Sequence, residues 1–370
     1  MHSLFNKNNK QDRRFGKKQD GLAHPSACRE AKVFLLFISL IFLLTGCSSN
    51  SNGTNSTGKT PFITKSSFLL NTVIKIDIYD KQDEKILDDC FDLIANYETI
   101  FSRTSETSEL YAINHNTAPH NGLTYTISDE MSDIMKYGLY YSELSGGAFD
   151  ISVAPITTLW DFLSETPVVP SEEALGSALP FVNYKFITLN NNEMTFSKLG
   201  VGIDLGGIAK GYIADRVKDL LISEGVNSAI INLGGNVLCV GTKPDGTPFK
   251  IGIQKPFADR NETIAAMEIN GLSVVSSGVY ERFFKINDVL YHHILNPKTG
   301  YPYDNNLVSV TIISPASVDG DGLSTSCFAL GLDKGLELIG SLKDTYAIFI
   351  TKDYEIYYSK GFSDAIKLIK

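Results

Sequence analysis

Two hydrophobic periods coexist in this chain beyond residue 61, and they do not alternate regularly. NTVIKIDIYD (71–80) is apolar at every second residue, which predicts a half-buried strand. EKILDDCFDLIANYETIF (84–101) and DEMSDIMKYGLYYSELSGG (129–147) carry helical spacing, the second closing on glycines. IAKGYIADRVKDLLISEG (208–225) puts Ile208, Tyr212, Ile213, Val217, Leu220 and Leu221 on one side and ends at Gly225. SAIINLGGNVLCVG, FKIGIQKP and LVSVTIIS predict strands, and the C-terminus predicts two helices and a hairpin through AIFITKDYEIYYS. Strict strand–helix alternation, the mark of a doubly wound sheet, is missing. The expected class is α+β, mixed sheets with packed helices. About 310 residues follow from Pro61, near the size at which one core stops growing. One compact domain over 61–370 is expected, with a two-lobed form left open.

Residues 1–32 are polar and basic, and the apolar run VFLLFISLIFLL (33–44) follows. Twelve residues are too few for a bilayer, which needs ~20, but suit the core of a signal peptide. Leu44-Thr45-Gly46-Cys47 has the form of a bacterial lipobox, which makes 1–46 a removed signal and Cys47 a lipidated N-terminus. A short membrane anchor with a chance cysteine is the alternative. SSNSNGTNSTGKT (48–60) has the composition of a flexible tether, so 47–60 is expected to link the lipid to the domain. These features place the domain at the cell membrane, lipid-anchored on the extracytoplasmic face. The long leader also leaves open a translation start further downstream.

A net charge of −9 argues against a general nucleic-acid binder. Cys90, Cys239 and Cys327 remain after the leader, an odd number without zinc-site spacing and in apolar surroundings. They are expected to be buried and structural, with redox chemistry as the alternative.

Three stretches carry candidate chemistry. VDGDGLSTS (318–326) resembles the start of a calcium loop, but from Asp319 the fifth, sixth and twelfth positions are Leu323, Ser324 and Leu330. An EF-hand needs an oxygen ligand, glycine and glutamate there, so that reading fails. GVGIDLGGIAKGY (200–212) fails the dinucleotide fingerprint at Leu205 and the Walker loop at Ile208. What stays is Asp204, a glycine pair and a helix start with Lys210 in its first turn. Such a start favours anions, while a tight turn with a solvated lysine reads equally well. YHHILNPKTGYP (291–302) could supply a histidine base on a rigid loop, or merely a packed strand histidine.

SGGAFD (145–150), DLGGIAKGY (204–212), NLGGN (232–236), HHILNPKTGYP (292–302) and DGLSTS (321–326) occur in that order, preceded by FSRTSETSELYAIN (101–114). Together they resemble the FAD:protein FMN transferase, or ApbE-like, family. The resemblance spans nearly everything from Pro61 onward, and a lipobox suits it. It implies an enzyme that uses Mg2+ to split the pyrophosphate of its substrate FAD. FMN is then joined by a phosphoester to a threonine or serine of a partner protein, and AMP is released.

By that resemblance the metal is held by Asp321, Thr325 and the carbonyl at Gly207, with Ser324 as a neighbour. Positions 321 and 325 share a helix face if LSTSCFALG is helical. Ala148, Phe149 and Asp150 line the FAD pocket, Asp204 and Lys210 contact the same ligand, and Ile294 touches it. Leu70 and Thr104 occupy two further FAD-contact positions. His293 is the base for the acceptor hydroxyl. His292, on the opposite strand face, and Asp319, a turn or capping residue, are spectators.

Departures from the family pattern are Leu70-Asn71-Thr72 for Met-Gly-Thr, Thr104 for a stacking tyrosine, and Asn296-Pro297 for Asp-Pro. The first two put the aromatic contact in doubt and leave the metal set and His293 intact. Alternatives are a FAD pyrophosphatase that transfers to water, and a non-catalytic FAD-binding lipoprotein. Expected partners are FAD, the membrane through the lipid, and an acceptor of the redox lipoprotein or membrane redox subunit class. The chain's own sequence shows no plain flavinylation motif.

Overall fold

The period-two segments pair into an antiparallel sheet of eight strands lying side by side in chain order. They are β1 (Ile63–Leu69), β2 (Thr72–Ile78), β3 (Ser228–Leu233), β4 (Asn236–Gly241), β5 (Ser273–Gly278), β6 (Leu307–Ser314), β7 (Tyr346–Thr351) and β8 (Ile356–Tyr358). This computed structural model describes residues 62–162, 164–259 and 262–369, all within the compact unit Asn52–Lys370. The leader, Cys47 and the tether lie outside the described residues, and among those described no helix is long and apolar enough to cross a membrane.

Two-residue turns set the register of the early strands. Leu70 and Asn71 both take positive φ, 53° and 55°, between β1 and β2, and Gly234 and Gly235 do so between β3 and β4. Such turns match the twist of the strands they join. Glycine does this without strain, whereas leucine at 70 carries a penalty of about 1–2 kcal/mol. The Leu70 N–H is anchored on Glu98 Oε1 at 3.0 Å.

Helices cover the sheet. α1 (Glu84–Phe101) starts at the Asp83 cap and buries Ile86, Leu87, Cys90, Phe91, Ile94, Tyr97 and Phe101. α2 (Asp129–Leu144) starts at Ser128 and stops short of Gly146 and Gly147, whose φ values of 63° and 79° leave the helical region. α3 (Ala209–Ser223), α4 (Ser317–Leu330) and α5 (Leu332–Gly340) complete the set used below. β6 lies at the heart of the fold, with all eight of its residues buried.

α4 begins six residues before LSTSCFALG (323–331), the stretch expected to be helical. The helix begins at Ser317, so both Asp319 and Asp321 lie on it. Its N-cap, Ala316, has no capping side chain, and Asp215 of α3 does that work. Asp215 accepts from Ser317 N–H at 2.8 Å and Val318 N–H at 2.9 Å. Asp319 is neither turn nor cap, because its carboxylate accepts from the Tyr141 hydroxyl. The glycines of DGDG are packing residues. A Cβ at Gly320 would stand 2.5 Å from Val275, and one at Gly322 would stand 2.3 Å from the Tyr141 ring.

The rest is smaller sheets, a three-stranded one (Phe249–Gln254, Thr263–Ile269, Lys367–Ile369), a four-stranded one and the hairpin Phe283–Ile286/Val289–His292. Most buried apolar residues form one core, and a satellite cluster gathers around Trp160, Phe284 and Leu295. The three expected cysteines are buried and free. The architecture is α+β, and one core dominates it.

Candidate active site

The glycine pair places α3 at the edge of a cavity. Asp204 N–H donates to the Ile151 carbonyl, and the Asp204 side chain accepts from Gly206 N–H at 2.9 Å, Thr157 Oγ1 at 2.8 Å and Arg103 Nε at 3.1 Å. Gly211 is the third residue of α3, and its N–H is one of the first-turn donors that have no partner inside a helix. It donates to Asp321 Oδ2, at 2.6 Å. Among the described residues no hydrogen bond ends on the Gly207 carbonyl, so its lone pairs remain available.

Asp321 reaches this point because α3 and α4 touch backbone to backbone. A Cβ on Gly211 would come within 2.3 Å of the Ser317 carbonyl oxygen. Asp321 is buried, and its second oxygen accepts from Asn236 Nδ2 at 3.1 Å. Asn236 is held in turn by the Ser317 hydroxyl at 2.7 Å. Burial pushes the Asp321 carboxyl above the usual range, against Lys210, the Gly211 N–H and Asn236, which favour the anion. One turn on, the Thr325 hydroxyl meets Ser277 Oγ at 3.1 Å, and Ser277 also meets Ser324 Oγ at 2.8 Å. Ser324 is fully buried and donates back to the Asp321 carbonyl, which makes it a support for the helix turn.

This donor set suits Mg2+. The ion takes oxygen ligands, needs only one or two carboxylates, and keeps water and substrate phosphate in its remaining positions. A buried carboxylate held only by neutral donors, a hydroxyl one turn away and an unpaired carbonyl match that demand. Among the described residues no cluster of three His, Cys, Asp or Glu side chains competes as a metal centre.

The two histidines divide by their hydrogen bonds. His292 is buried, with Nε2 at 3.0 Å from the Tyr303 carbonyl and Nδ1 accepting from Ile294 N–H. A carbonyl can only accept, so Nε2 carries the proton and both nitrogens are used. At His293 it is Nδ1 that faces a carbonyl, that of Arg282 at 3.3 Å. That contact puts the proton on Nδ1 and leaves Nε2 as a lone-pair acceptor. Part of the ring opens to the cavity, yet it sits deep among protein atoms. Burial, then Arg282, His292 and Lys210, push it down to about 3. The imidazole is therefore neutral at physiological pH.

The cavity, about 300 Å³, is lined by Thr104, Ala148, Phe149, Asp150, Asp204, Gly207, Lys210, His293, Ile294 and Thr325. These expected residues come from five separate stretches of chain and converge. A roomier hollow of 620 Å³ adjoins it at Arg103 and Thr104 but gathers little chemistry beyond His115. Asp321 and Ser324 stand behind the cavity wall and do not border it. Leu70 does not border it either, although its neighbour Asn71 lines a 290 Å³ hollow that shares Thr104. Asp150 is saturated inside the protein by Ser152 N–H, Ser152 Oγ and Tyr184 N–H at 2.8, 2.6 and 2.9 Å. No ion pair among the described residues closes on Lys210, so its charge is open to an anion.

Sequence reasoning missed Gly211, Asn236, Ser277 and Arg282. Asn236 ends the quoted NLGGN, and that position was its signal. Gly211 and Ser277 act only through partners far along the chain.

The chain matches the ApbE family over residues 70–350. It is 36% identical over 296 residues to a FAD:protein FMN transferase of Klebsiella pneumoniae, covering 80% of this chain and 90% of that protein. A FAD:protein FMN transferase of Treponema pallidum is 29% identical over 324 residues, 82% of this chain and 89% of the relative. Among solved structures, the ApbE protein of Thermotoga maritima superposes with a TM-score of 0.74 at 31% identity, covering 82% of this chain and 98% of that one. The flavin transferase ApbE of Vibrio cholerae gives 0.73 at 25% identity over 82% and 98%.

Proposed function

This chain belongs to the ApbE family, and we propose that it is a Mg2+-dependent FAD:protein FMN transferase working on the outer face of the cell membrane. The observation that carries this reading is the bond from the Gly211 N–H to Asp321. It orients Asp321 behind the wall of a cavity bordered by Gly207, Thr325 and His293, and the Gly207 carbonyl accepts no hydrogen bond among the described residues.

Asp321, Thr325 and the Gly207 carbonyl would hold the ion. When bound, Mg2+ supplies neutralisation of the pyrophosphate charge that builds up as the bridging bond breaks. Lys210 adds a point charge for the same phosphates. His293 Nε2 accepts the proton of an incoming threonine or serine hydroxyl. Its oxygen bonds to the FMN-side phosphorus, the bond from that phosphorus to the bridging oxygen breaks, and AMP leaves with the electron pair. A neutral imidazole between Lys210 and Arg282 is a weak base alone. An anionic pyrophosphate beside it offsets those cations and raises its basicity.

Lipidation at Cys47 would hold the domain at the extracytoplasmic face, and the lipobox sequence supports it. The acceptor is a protein with an accessible threonine or serine, of the redox lipoprotein or membrane redox subunit class.

The test is purified protein with FAD, Mg2+ and a flavoprotein that carries phosphoester-linked FMN in its mature form, supplied unmodified. The acceptor should gain the mass of FMN, and EDTA or Asp321→Ala should abolish the gain. FMN and AMP free in solution without an adduct would point to a pyrophosphatase. Tight FAD binding without turnover would remove both enzymatic readings.

A further inference from the structure

Trp160 is the only tryptophan in the chain, and it sits at the cavity wall beside Phe162. The two rings are nearly parallel, 5° apart with centroids separated by 5.5 Å, an offset stack. Trp160 is buried, and its Nε1–H donates to the Gly300 carbonyl at 2.8 Å. That ties it to the turn that follows His293. Phe162 is only half-buried, and it lines the cavity.

Tyr291 and Tyr301 pack on Trp160 at 5.6 and 5.9 Å, and Phe284 lies 5.5 Å from Phe162 and 6.1 Å from Trp160. Rings lying flat on opposite faces of Phe162 would be at least about 7 Å apart, two van der Waals spacings. Phe284, 6.1 Å from Trp160 and tilted 35° to Phe162, therefore does not lie flat on the face away from Trp160. Thr104, another wall residue, offers a hydroxyl and no ring.

We infer that Phe162, braced by Trp160, is a stacking platform for one of the two flat ring systems of FAD. The inference rests on the reading of FAD as substrate and adds a recognition residue to it. A rigid, pre-stacked ring loses little freedom when a second planar group lies on it, and base–aromatic stacking of this kind contributes measurably to affinity.

The test titrates FMN and AMP separately onto the purified full chain, by calorimetry and flavin absorbance, and measures FAD turnover. Phe162→Leu keeps most of the volume and removes the π face. It should weaken one probe about tenfold, equivalent to about 1.4 kcal/mol, raise KM for FAD and leave kcat nearly unchanged. Phe162→Tyr should restore binding. Loss confined to FMN, with loss of its red-shifted absorbance, assigns the isoalloxazine; loss confined to AMP assigns the adenine. Pentafluorophenylalanine at position 162 keeps the shape and inverts the ring's charge distribution, so it should shift affinity without changing Tm. Wild-type turnover of FAD alongside unchanged affinity for both probes in Phe162→Leu and in the fluorinated variant overturns the platform alone. If the wild type binds neither FAD nor either half, the flavin-transfer reading falls, and the platform falls with it.

Discussion

Gly211→Ala tests the contact on which the site depends. Alanine is the better helix former, by about 0.8–1 kcal/mol, and Gly211 has ordinary helical φ, so local propensity predicts stabilisation. The tertiary structure predicts the reverse. The new Cβ would lie 2.3 Å from the Ser317 carbonyl oxygen and 2.8 Å from the Val318 Cα, backbone atoms that no rotamer change can move. α3 and α4 must separate by about 1 Å to restore van der Waals contact. Overpacking of this kind costs about 1–3 kcal/mol, and stretching the 2.6 Å bond from Gly211 N–H to Asp321 loses part of a charge-assisted hydrogen bond of about 1.5–3 kcal/mol. Set against the propensity gain, the net loss is about 2–4 kcal/mol, or roughly 3–6 °C in Tm for a domain of this size. Single-turnover transfer should fall further, about a hundredfold, because a displacement near 1 Å moves Asp321 relative to Gly207. Gly176→Ala is the control, since nothing lies within 4 Å of its would-be Cβ. It should leave Tm unchanged or raise it slightly. A Gly211→Ala protein with wild-type Tm and wild-type rate would refute the proposed helix contact and the role given to that N–H.

His293→Asn should cut transfer at least a hundredfold with FAD affinity retained, whereas His292→Asn should act through stability, lowering Tm more than rate. Equal rate losses in the two would dissolve their division of labour. Because His293 titrates at about 3 in the free protein, below its ordinary value, its deprotonated form prevails throughout pH 5–8. An acid limb near 6.5 in kcat/KM that vanishes in His293→Asn would contradict this. Asp215 is pushed up to about 6 by burial, against the Ser317 and Val318 N–H groups. The folded state therefore holds a proton that the unfolded chain releases near 3.9, and stability falls as pH rises from about 4 to 6. Urea unfolding across that window should show a slope that Asp215→Asn removes.

The strands and most helices were legible because half-buried elements write their period into the sequence. α1 runs over the residues its spacing predicts, and β2 and β6 lie within theirs. α4 was not fully legible. It is buried nearly all round, at Ser317, Val318, Gly320, Asp321, Gly322, Leu323, Ser324, Ser326, Cys327 and Phe328, so it has no polar face to reveal a 3.6-residue period. Asp-Gly-Asp-Gly is also poor helix sequence, and tertiary packing overrides it. The same packing demands the glycines, because Val275 and the Tyr141 ring occupy the space of side chains at 320 and 322.

On its own the sequence determined which chemical groups this protein possesses and the order in which they occur. It also set the strand and helix periods and rejected the calcium loop at Asp319. Tertiary structure decided what those groups do. Asp321 meets the N–H of a residue 110 positions earlier, and the Gly207 carbonyl, just outside α3, accepts no hydrogen bond among the described residues. Asp150, equally acidic in sequence, is consumed by internal hydrogen bonds. Periodicity reports how a segment meets water. Hydrogen bonds and electrostatic fields depend on distance in space, and only the folded chain sets that.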